Sequence, residues 1–595
     1  MKEKHIIIYI VTIASVLISC SKSNDNIYKV GILGAPSSHN VRWNDDNMQR
    51  MKELGFNTMQ LNIAWGYRPG DNPLNLEDVL TVPDKFKLPV DTTMLNMNTG
   101  DVHTFLHSPE KISARAEELR HRISMCKKYG MRSIFHFGAP YVAYPATEPL
   151  SQCISDEKTI ERYDTLIRQF HREFPGVDDL LIYTYDQNAW QCAEDGVCDK
   201  CFGTPLHTRV TKFINTLART WKSLNPDGRV WWEPWEISGG QTFAALELLD
   251  PECTGLSVHA SITEVQLALA ADRWFKNILT LAQERQIPVI GEMWLGGATE
   301  EVEPYTSIPT PLATLRALRA MDQAGKLAGF KEYYGNLPAR EDVNLRMTSI
   351  FFSDRNISDD EAMTRLAAPY GDSAGDVEKY WKLASEAIEL YPWDISWFAR
   401  EVGKSNPQHS MTAATLKGAS WLTPSWQSNR RAAFMRTSET EYPHFWMLED
   451  AQLRFKASAD KINSALTVAR QAREFVPKEY LAEFDKGMEE LNGFHRRITS
   501  YVYHIRETNI CKMLKTKLEH SGEIDNTLLA ELRDILEKDL KNQDGNSQIK
   551  TALSLLDKNP DEFLNTYFLQ YTDKETPPSH LLPADWGSVW SITSK

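Results

Sequence analysis

Glu292 stands near the end of the apolar run "IPVIGEMWLGG" (287–297), followed by Trp294 and two glycines. A carboxylate at the end of a buried strand costs several kcal/mol unless it is paired or hydrogen-bonded, so it marks a place where a negative charge is useful. The same pattern recurs along the chain. "DLLIYTYDQN" ends in Asp186, Gln187 and Asn188, with Trp190 beyond. "RVWWEPWEIS" carries Glu233 and Glu236 around Pro234 and Trp235. "TGLSVHAS" ends in His259, "MRSIFHFGAP" holds His136, and "LAGFKEYYG" ends in Glu332, Tyr333 and Tyr334. Carboxyls in shifted environments do acid and base work, and aromatic rings interleaved with them offer platforms for sugar faces. Glu233 and Glu236 are three residues apart, so regular pleating points them to opposite faces.

These residues sit at the ends of eight short apolar runs, at 28–36, 57–66, 131–140, 179–188, 229–238, 254–261, 287–296 and 327–335. Amphipathic segments separate them, such as "NDDNMQRMKELG" and "LHTRVTKFINTLARTWKSLNPDG", with apolar positions at helical intervals. Gly55, Gly130 and Gly228 are expected to close three of these helices as C-cap glycines. Eight strand–helix repeats with nearly continuous apolar strands predict an α/β fold, a (β/α)8 TIM barrel over 28–370. No G-x-G-x-x-G follows a strand, which argues against a doubly wound dinucleotide fold. In such a barrel the strand C-termini line one mouth, so Asp186 and Glu292, on strands four and seven, are expected to flank one ligand. Two carboxyls facing each other across a sugar cleave glycosidic bonds, with retention or inversion set by their separation.

From 371 to 595 the pattern becomes long and amphipathic and predicts an all-α C-terminal domain. Its charged faces read as solvated surface. Trp393, Trp397 and Trp426 lie in the connecting stretch and are expected to pack against the barrel. The balance of 80 Asp+Glu against 66 Lys+Arg, net −14, with no basic block, points away from nucleic acid.

The N-terminus reads as a targeting segment. Lys2 and Lys4 precede "HIIIYIVTIASVLIS", and Cys20 closes "LISC". Residues 1–20 are expected to be a lipoprotein signal peptide and 21–27 a polar tether, so the membrane partner would be a lipid anchor at Cys20. The expected location is the periplasm-facing membrane or cell surface of a Gram-negative-type bacterium. Cys192, Cys198 and Cys201 sit together in "CAEDGVCDKC". A bridge, a structural metal or free thiols all fit; a four-ligand set is not complete locally, and His207 or Cys153 would have to complete it.

At these residues the chain resembles glycoside hydrolases. "PVIGEMW" is similar to the strand-seven signature of the large retaining (β/α)8 clan, in which the Glu is the nucleophile, and "LSVHAS" to that clan's strand six. Where the clan has Asn-Glu-Pro after strand four, this chain has "YDQNAW". A barrel followed by a tryptophan-rich helical domain also resembles the α-glucuronidases of family 67 and, loosely, the family 20 hexosaminidases. These resemblances imply a glycosidase acting on a polysaccharide or its oligosaccharides; loops that close a pocket would make it exo-acting, and the chemistry is expected to need no cofactor and no metal. Asp186 would be the acid and Glu292 the base or nucleophile, with Glu233 or Glu236 assisting. His136, Trp190, Trp235, His259, Trp294, Glu332, Tyr333 and Tyr334 would bind sugar, and Arg42 or Arg68 would meet a uronate carboxylate. The alternatives are a non-catalytic carbohydrate-binding lipoprotein on the same scaffold and a metal-dependent hydrolase using His136, His259 and acids.

Overall fold

The computed structural model describes residues 27–34, 43–62, 75–87, 109–140, 150–151, 153–184, 192, 194–234, 239–260, 273–295, 305, 308–333, 335, 342–391 and 445–564. The eight apolar runs form strands β1 (Tyr28–Ile32), β2 (Thr58–Gln60), β3 (Arg132–Ala139), β4 (Asp179–Thr184), β5 (Val230–Glu233), β6 (Thr254–His259), β7 (Val289–Met293) and β8 (Gly329–Glu332). They pair in parallel in chain order and close through β1 and β8 into a barrel. The expected (β/α)8 barrel is therefore the observed fold. Almost every strand residue is buried, which is why the runs are nearly continuously apolar: helices cover the outside and side chains fill the inside.

The helices of the barrel are α1 (Asp45–Glu53), α2 (Leu76–Val79), α3 (Pro109–Tyr129), α4 (Glu157–Glu173), α5 (Leu206–Leu224), α6 (Gly239–Leu246), α7 (Arg273–Glu284), α8 (Pro311–Ala324) and, after β8, α9 (Val343–Ser353). Two of the expected glycine stops are Schellman turns. Gly55 and Gly130 take φ of +91° and +67°. Phe56 N donates to Met51 O and Met131 N to Cys126 O, at 3.1 and 2.9 Å, satisfying carbonyls that the helix end leaves open. Gly228 does something else. The C-cap of α5 is Asn225, and a Cβ on Gly228 would lie 2.5 Å from Asp178 O. Close approach of two backbones, not a left-handed turn, requires that glycine.

Beyond the barrel lie α10 (Asp359–Ala367), α11 (Ala374–Leu390), α12 (Phe445–Ala472), the long α13 (Lys478–Ser521), α14 (Asn526–Asn542), α15 (Ser547–Lys558) and α16 (Pro560–Leu564). This is the all-α C-terminal region. Phe455, Ile462, Leu466, Phe494 and Tyr501 join the same apolar core as the barrel helices. A second cluster around Ile510, Leu514, Leu532 and Leu536 holds α13 to α14. A polar tie crosses the seam as well, Ser385 Oγ accepting from Leu312 N at 3.2 Å, and within the helical region Ser458 Oγ donates to Ala387 O at 2.8 Å. Among the described residues no helix is long and apolar enough to cross a membrane. Cys20, Trp393, Trp397 and Trp426 lie outside the described residues.

Candidate active site

Side chains alternate between the two faces of a strand, and in the barrel this alternation stacks layers. Val30, Ile134, Leu181, Trp231 and Ile290 form one apolar layer inside the cylinder. Two residues further along, β1 stays apolar with Ile32, while β3, β4, β5 and β7 bring His136, Tyr183, Glu233 and Glu292, all buried. On those four strands the interior thus changes from apolar to ionisable in one step toward the C-terminal ends. Register then sets the neighbours: His259 pairs with Glu292 across β6–β7, and Glu292 with Lys331 across β7–β8.

The resulting cluster is compact. One carboxylate oxygen of Glu233, one of Glu292 and a ring nitrogen of His259 all lie within 4.8 Å of one another. His259 Nε2 is 3.1 Å from Glu233 Oε1, and its Nδ1 is 3.6 Å from Glu292 Oε2. Lys331 Nζ donates to Glu292 Oε2 at 2.8 Å and stands 3.9 Å from Glu233 Oε2. His136 Nε2 stands 3.6 Å from Glu233 Oε2. The other side of that ring is set from β2. Gln60 Nε2 donates to His136 Nδ1 at 3.1 Å and to Asn62 O at 2.8 Å. The Asn62 amide bonds both the N–H and the C=O of His136, at 2.9 and 2.6 Å. With Nδ1 accepting, the ring proton sits on Nε2, facing Glu233. Tyr333 closes the cluster with an edge-to-face contact on His259, centroids 4.4 Å apart.

The two carboxyls are driven apart electrostatically. Burial, then the charge of Glu292, raises the Glu233 pKa above the ordinary carboxylate value. Burial acts on Glu292 in the same sense, but the Lys331 ammonium, with His259 and Ser257, outweighs it and the net direction is down. Burial, followed by the positive charge of Lys331, holds His136 well below its usual value and therefore neutral. Like charges in a dry site cannot both ionise at their ordinary pKa values. The arrangement biases Glu233 toward its protonated form beside Glu292, which is biased toward its anion, and this suits proton donation coupled to nucleophilic or base attack.

The sequence-predicted residues divide into three groups. His136, Glu233, His259, Glu292 and Tyr333 come together in this cluster. Glu332 lies nearby but faces elsewhere, and Trp294 follows Glu292 by two residues. Glu332 is on the opposite face of β8 from Lys331 and accepts from Leu295 N at 2.9 Å, bracing the turn after β7. Trp294 is 3% exposed and belongs to the apolar core. Asp186, Trp190, Trp235, Glu236 and Tyr334, with Arg42 and Arg68, lie outside the described residues. Gln60, Asn62, Ser257 and Lys331 were not singled out from the sequence. Lys331 was detectable: a lysine inside "LAGFKEYYG" is as anomalous as a glutamate inside "IPVIGEMW".

Glu233, His259 and Glu292 have the donor types of a metal site. Lys331, however, holds the Glu292 oxygen at salt-bridge distance from within the cluster, so its ammonium takes the place that a cation would need. The described geometry fits acid–base chemistry better than a metal.

No family model matches the chain, and no curated protein matches it. Solved structures do. A GH138 enzyme targeting pectin rhamnogalacturonan II superposes with a TM-score of 0.52 at 11% identity, over 87% of this chain and 62% of the other. The chain therefore spans less than two thirds of that enzyme's length. An O-GlcNAc hydrolase mutant of Thermobaculum terrenum gives a TM-score of 0.37 at 10% identity, over 92% of this chain and 94% of the other. A GH5-4 broad-specificity endoglucanase from an uncultured bacterium gives 0.36 at 13% identity, over 56% of this chain and 95% of the other. At these identities the likeness is one of fold, and it is carried by the first of the three.

Proposed function

We propose that the protein is a glycoside hydrolase acting on a polysaccharide or its oligosaccharides. The observation that carries this is the Glu233–Glu292 pair: oxygens within 4.8 Å, at the strand ends of a closed barrel, with pKa values moved in opposite directions. Carboxyls about 5 Å apart support a double displacement, whereas inversion needs room for a water between them. Glu233 donates its proton to the glycosidic oxygen as the C–O bond to the leaving group breaks. Glu292 attacks the anomeric carbon and forms a glycosyl ester. Glu233, now a carboxylate, removes a proton from water, which attacks the same carbon and releases Glu292. His136 and His259 hydrogen-bond sugar hydroxyls, and Tyr333 supports the ring of His259. In this reading Glu233 takes the acid role expected of Asp186, because it is the carboxyl that the barrel sets beside Glu292. Asp186 and Glu236 come after β4 and β5 in the chain and remain in the proposal as further candidate acids.

The finer parts of the proposal rest on the sequence. An exo mode and a uronate-containing substrate fit the resemblance to α-glucuronidases. Export and anchoring through a lipid on Cys20 would place the enzyme where extracellular glycans arrive. The test is a screen of chromogenic glycosides and oligosaccharides with wild type and Glu292→Gln. Cleavage by wild type, lost in the variant with sugar binding retained, supports the reading. Equal activity in both removes Glu292 from the mechanism, and sugar binding without any cleavage by wild type would favour a non-catalytic carbohydrate-binding role.

A further inference from the structure

The cysteines outside the active site form a second constellation. Cys153 precedes α4, while Cys192, Cys198 and Cys201 lie between β4 and α5. Their four sulfurs lie within 4.8 Å of one another. Cys153 Sγ is 3.4 Å from Cys201 Sγ and 3.9 Å from Cys198 Sγ. A zinc ion with four thiolates at about 2.3 Å places its sulfurs about 3.8 Å apart at the corners of a tetrahedron. The sequence left the fourth ligand open between His207 and Cys153. The fold resolves it: His207 Nδ1 engages Gln241 Oε1 at 3.1 Å, and Cys153 arrives from the neighbouring loop.

The backbone is shaped for the same purpose. Cys198 and Cys201 have a two-residue spacing, and a tight turn joins them, with Cys201 N and Phe202 N both donating to Cys198 O at 2.9 Å. Gly203 follows with φ of +70°, turning the chain back so that its N–H meets Glu194 O at 2.8 Å. The segment has little apolar substance of its own: Val197 and Phe202 are 104% and 67% exposed, yet Cys201 is fully buried. Something other than a hydrophobic core must hold it. Two further contacts bind the same pair of loops, Lys200 Nζ to Asp156 Oδ2 at 2.6 Å and Cys201 Sγ to Ser155 Oγ at 3.5 Å. Arg209 Nη2 donates to Cys192 O at 2.7 Å, fixing the first ligand from α5.

We propose that Cys153, Cys192, Cys198 and Cys201 bind one structural zinc ion that clamps the β3–α4 loop to the β4–α5 loop at the mouth of the barrel. Two disulfides would bring the sulfurs together as separate pairs. They would not require all four to converge around one centre, as these do. Binding converts four thiols to thiolates and releases their four protons, leaving a four-coordinate closed site with no position for substrate. The ion is thus distinct from the acid–base pair, and its role is to tie the segment of Cys192–Cys201 ahead of α5 to Cys153 ahead of α4.

The test is metal analysis of the full chain purified without chelator, alongside a thiol count and non-reducing peptide mapping. About one zinc per chain is expected, falling below a tenth of that in Cys198→Ser/Cys201→Ser. Protein grown in cobalt should show the charge-transfer and d–d bands of a tetrahedral tetrathiolate; this readout needs only wild type and stands even if the variant does not fold. Loss of zinc to a chelator should speed proteolysis between 192 and 203. Metal-free protein overturns the proposal, whether mapping finds disulfides among these four cysteines or all of them as free thiols. Iron in place of zinc, or cobalt spectra of an octahedral oxygen site, overturns it equally.

Discussion

Lys331 Nζ bonds Glu292 Oε2 at 2.8 Å across a β7–β8 register pair, and both side chains are essentially without solvent contact. The same ammonium is 3.9 Å from Glu233. A single cation therefore serves two carboxyls unequally. The nearer carboxyl is shifted toward its charged form, and the farther one, facing that charge in a dry site, toward its protonated form.

Replacing Glu233 by Gln should separate the two steps of the reaction. Cleavage of unactivated glycosides should fall 10²–10⁴-fold, as for other lost general acids. Aryl glycosides with good leaving groups should lose far less in the first step, and added azide should restore turnover by replacing water in the second, giving a glycosyl azide. Kinetics over a leaving-group series, with product analysis, checks this. A loss independent of leaving group would exclude Glu233 as the acid.

The pH profile of kcat/KM should be bell-shaped and broad. Activity requires ionised Glu292, whose pKa is lowered, so the acid limb should lie below the ordinary glutamate value of about 4.3. It also requires protonated Glu233, whose pKa is raised, so the alkaline limb should lie above that value. Glu233→Gln should abolish the alkaline limb alone. Two limbs unchanged in that variant would contradict the assignment.

Lys331→Met should leave Glu292 buried without its cation. Breaking a buried pair from one side costs about 3–5 kcal/mol. Adding Glu292→Gln should recover part of that loss, because the stranded charge is gone. Urea denaturation of the two single variants and the double variant measures the coupling. Additive losses would show that the two groups do not interact.

Asp342 caps α9, accepting from Asn344 N at 3.0 Å and Leu345 N at 2.9 Å. Burial, with the charge of Glu483 adding and the α9 amides and Lys486 opposing, pushes its pKa from 3.8 to about 7. The folded state thus holds a proton that the unfolded state has released. This contribution to stability is full below the ordinary aspartate pKa and is lost as pH rises to about 7, at about 1.4 kcal/mol per pH unit. Asp342→Asn should keep the cap and remove that slope. Unfolding free energies at pH 5 and pH 8 check it: the variant should lose less than wild type between the two.

Gly329 sits where β8 meets β1. A Cβ there would be 2.3 Å from Tyr28 O, its register partner. Gly329→Ala should destabilise the barrel by about 1–3 kcal/mol, the usual cost of forcing atoms into a packed interior. Thermal unfolding measures it, and an unchanged melting temperature would show that the seam can relax.

Much of this molecule was readable along the chain, and the reason is that it is local. Eight apolar runs separated by amphipathic segments specify eight buried strands and their covering helices, because periodicity and turn residues act over a few positions. Glu233, His259 and Glu292 were conspicuous because ionisable groups stand out in apolar runs, and Gly55 and Gly130 because a helix end needs a left-handed residue.

What the chain alone left undecided was which of these groups meet. Asp186 and Glu292 looked like natural opposites on strands four and seven, yet the described carboxyl beside Glu292 is Glu233. Lys331, 39 positions from Glu292, became its partner only through β7–β8 register. Cys153 joined three thiols 39 to 48 positions away because successive barrel loops are neighbours at one mouth. Glu332 read like a ligand contact, and its carboxylate accepts from Leu295 N in the turn after β7. Each of these outcomes depends on strand register, barrel closure and the face a side chain takes. Those are relations between distant segments, and the unequal reach of Lys331 that they create is what shifts the two buried carboxyls in opposite directions.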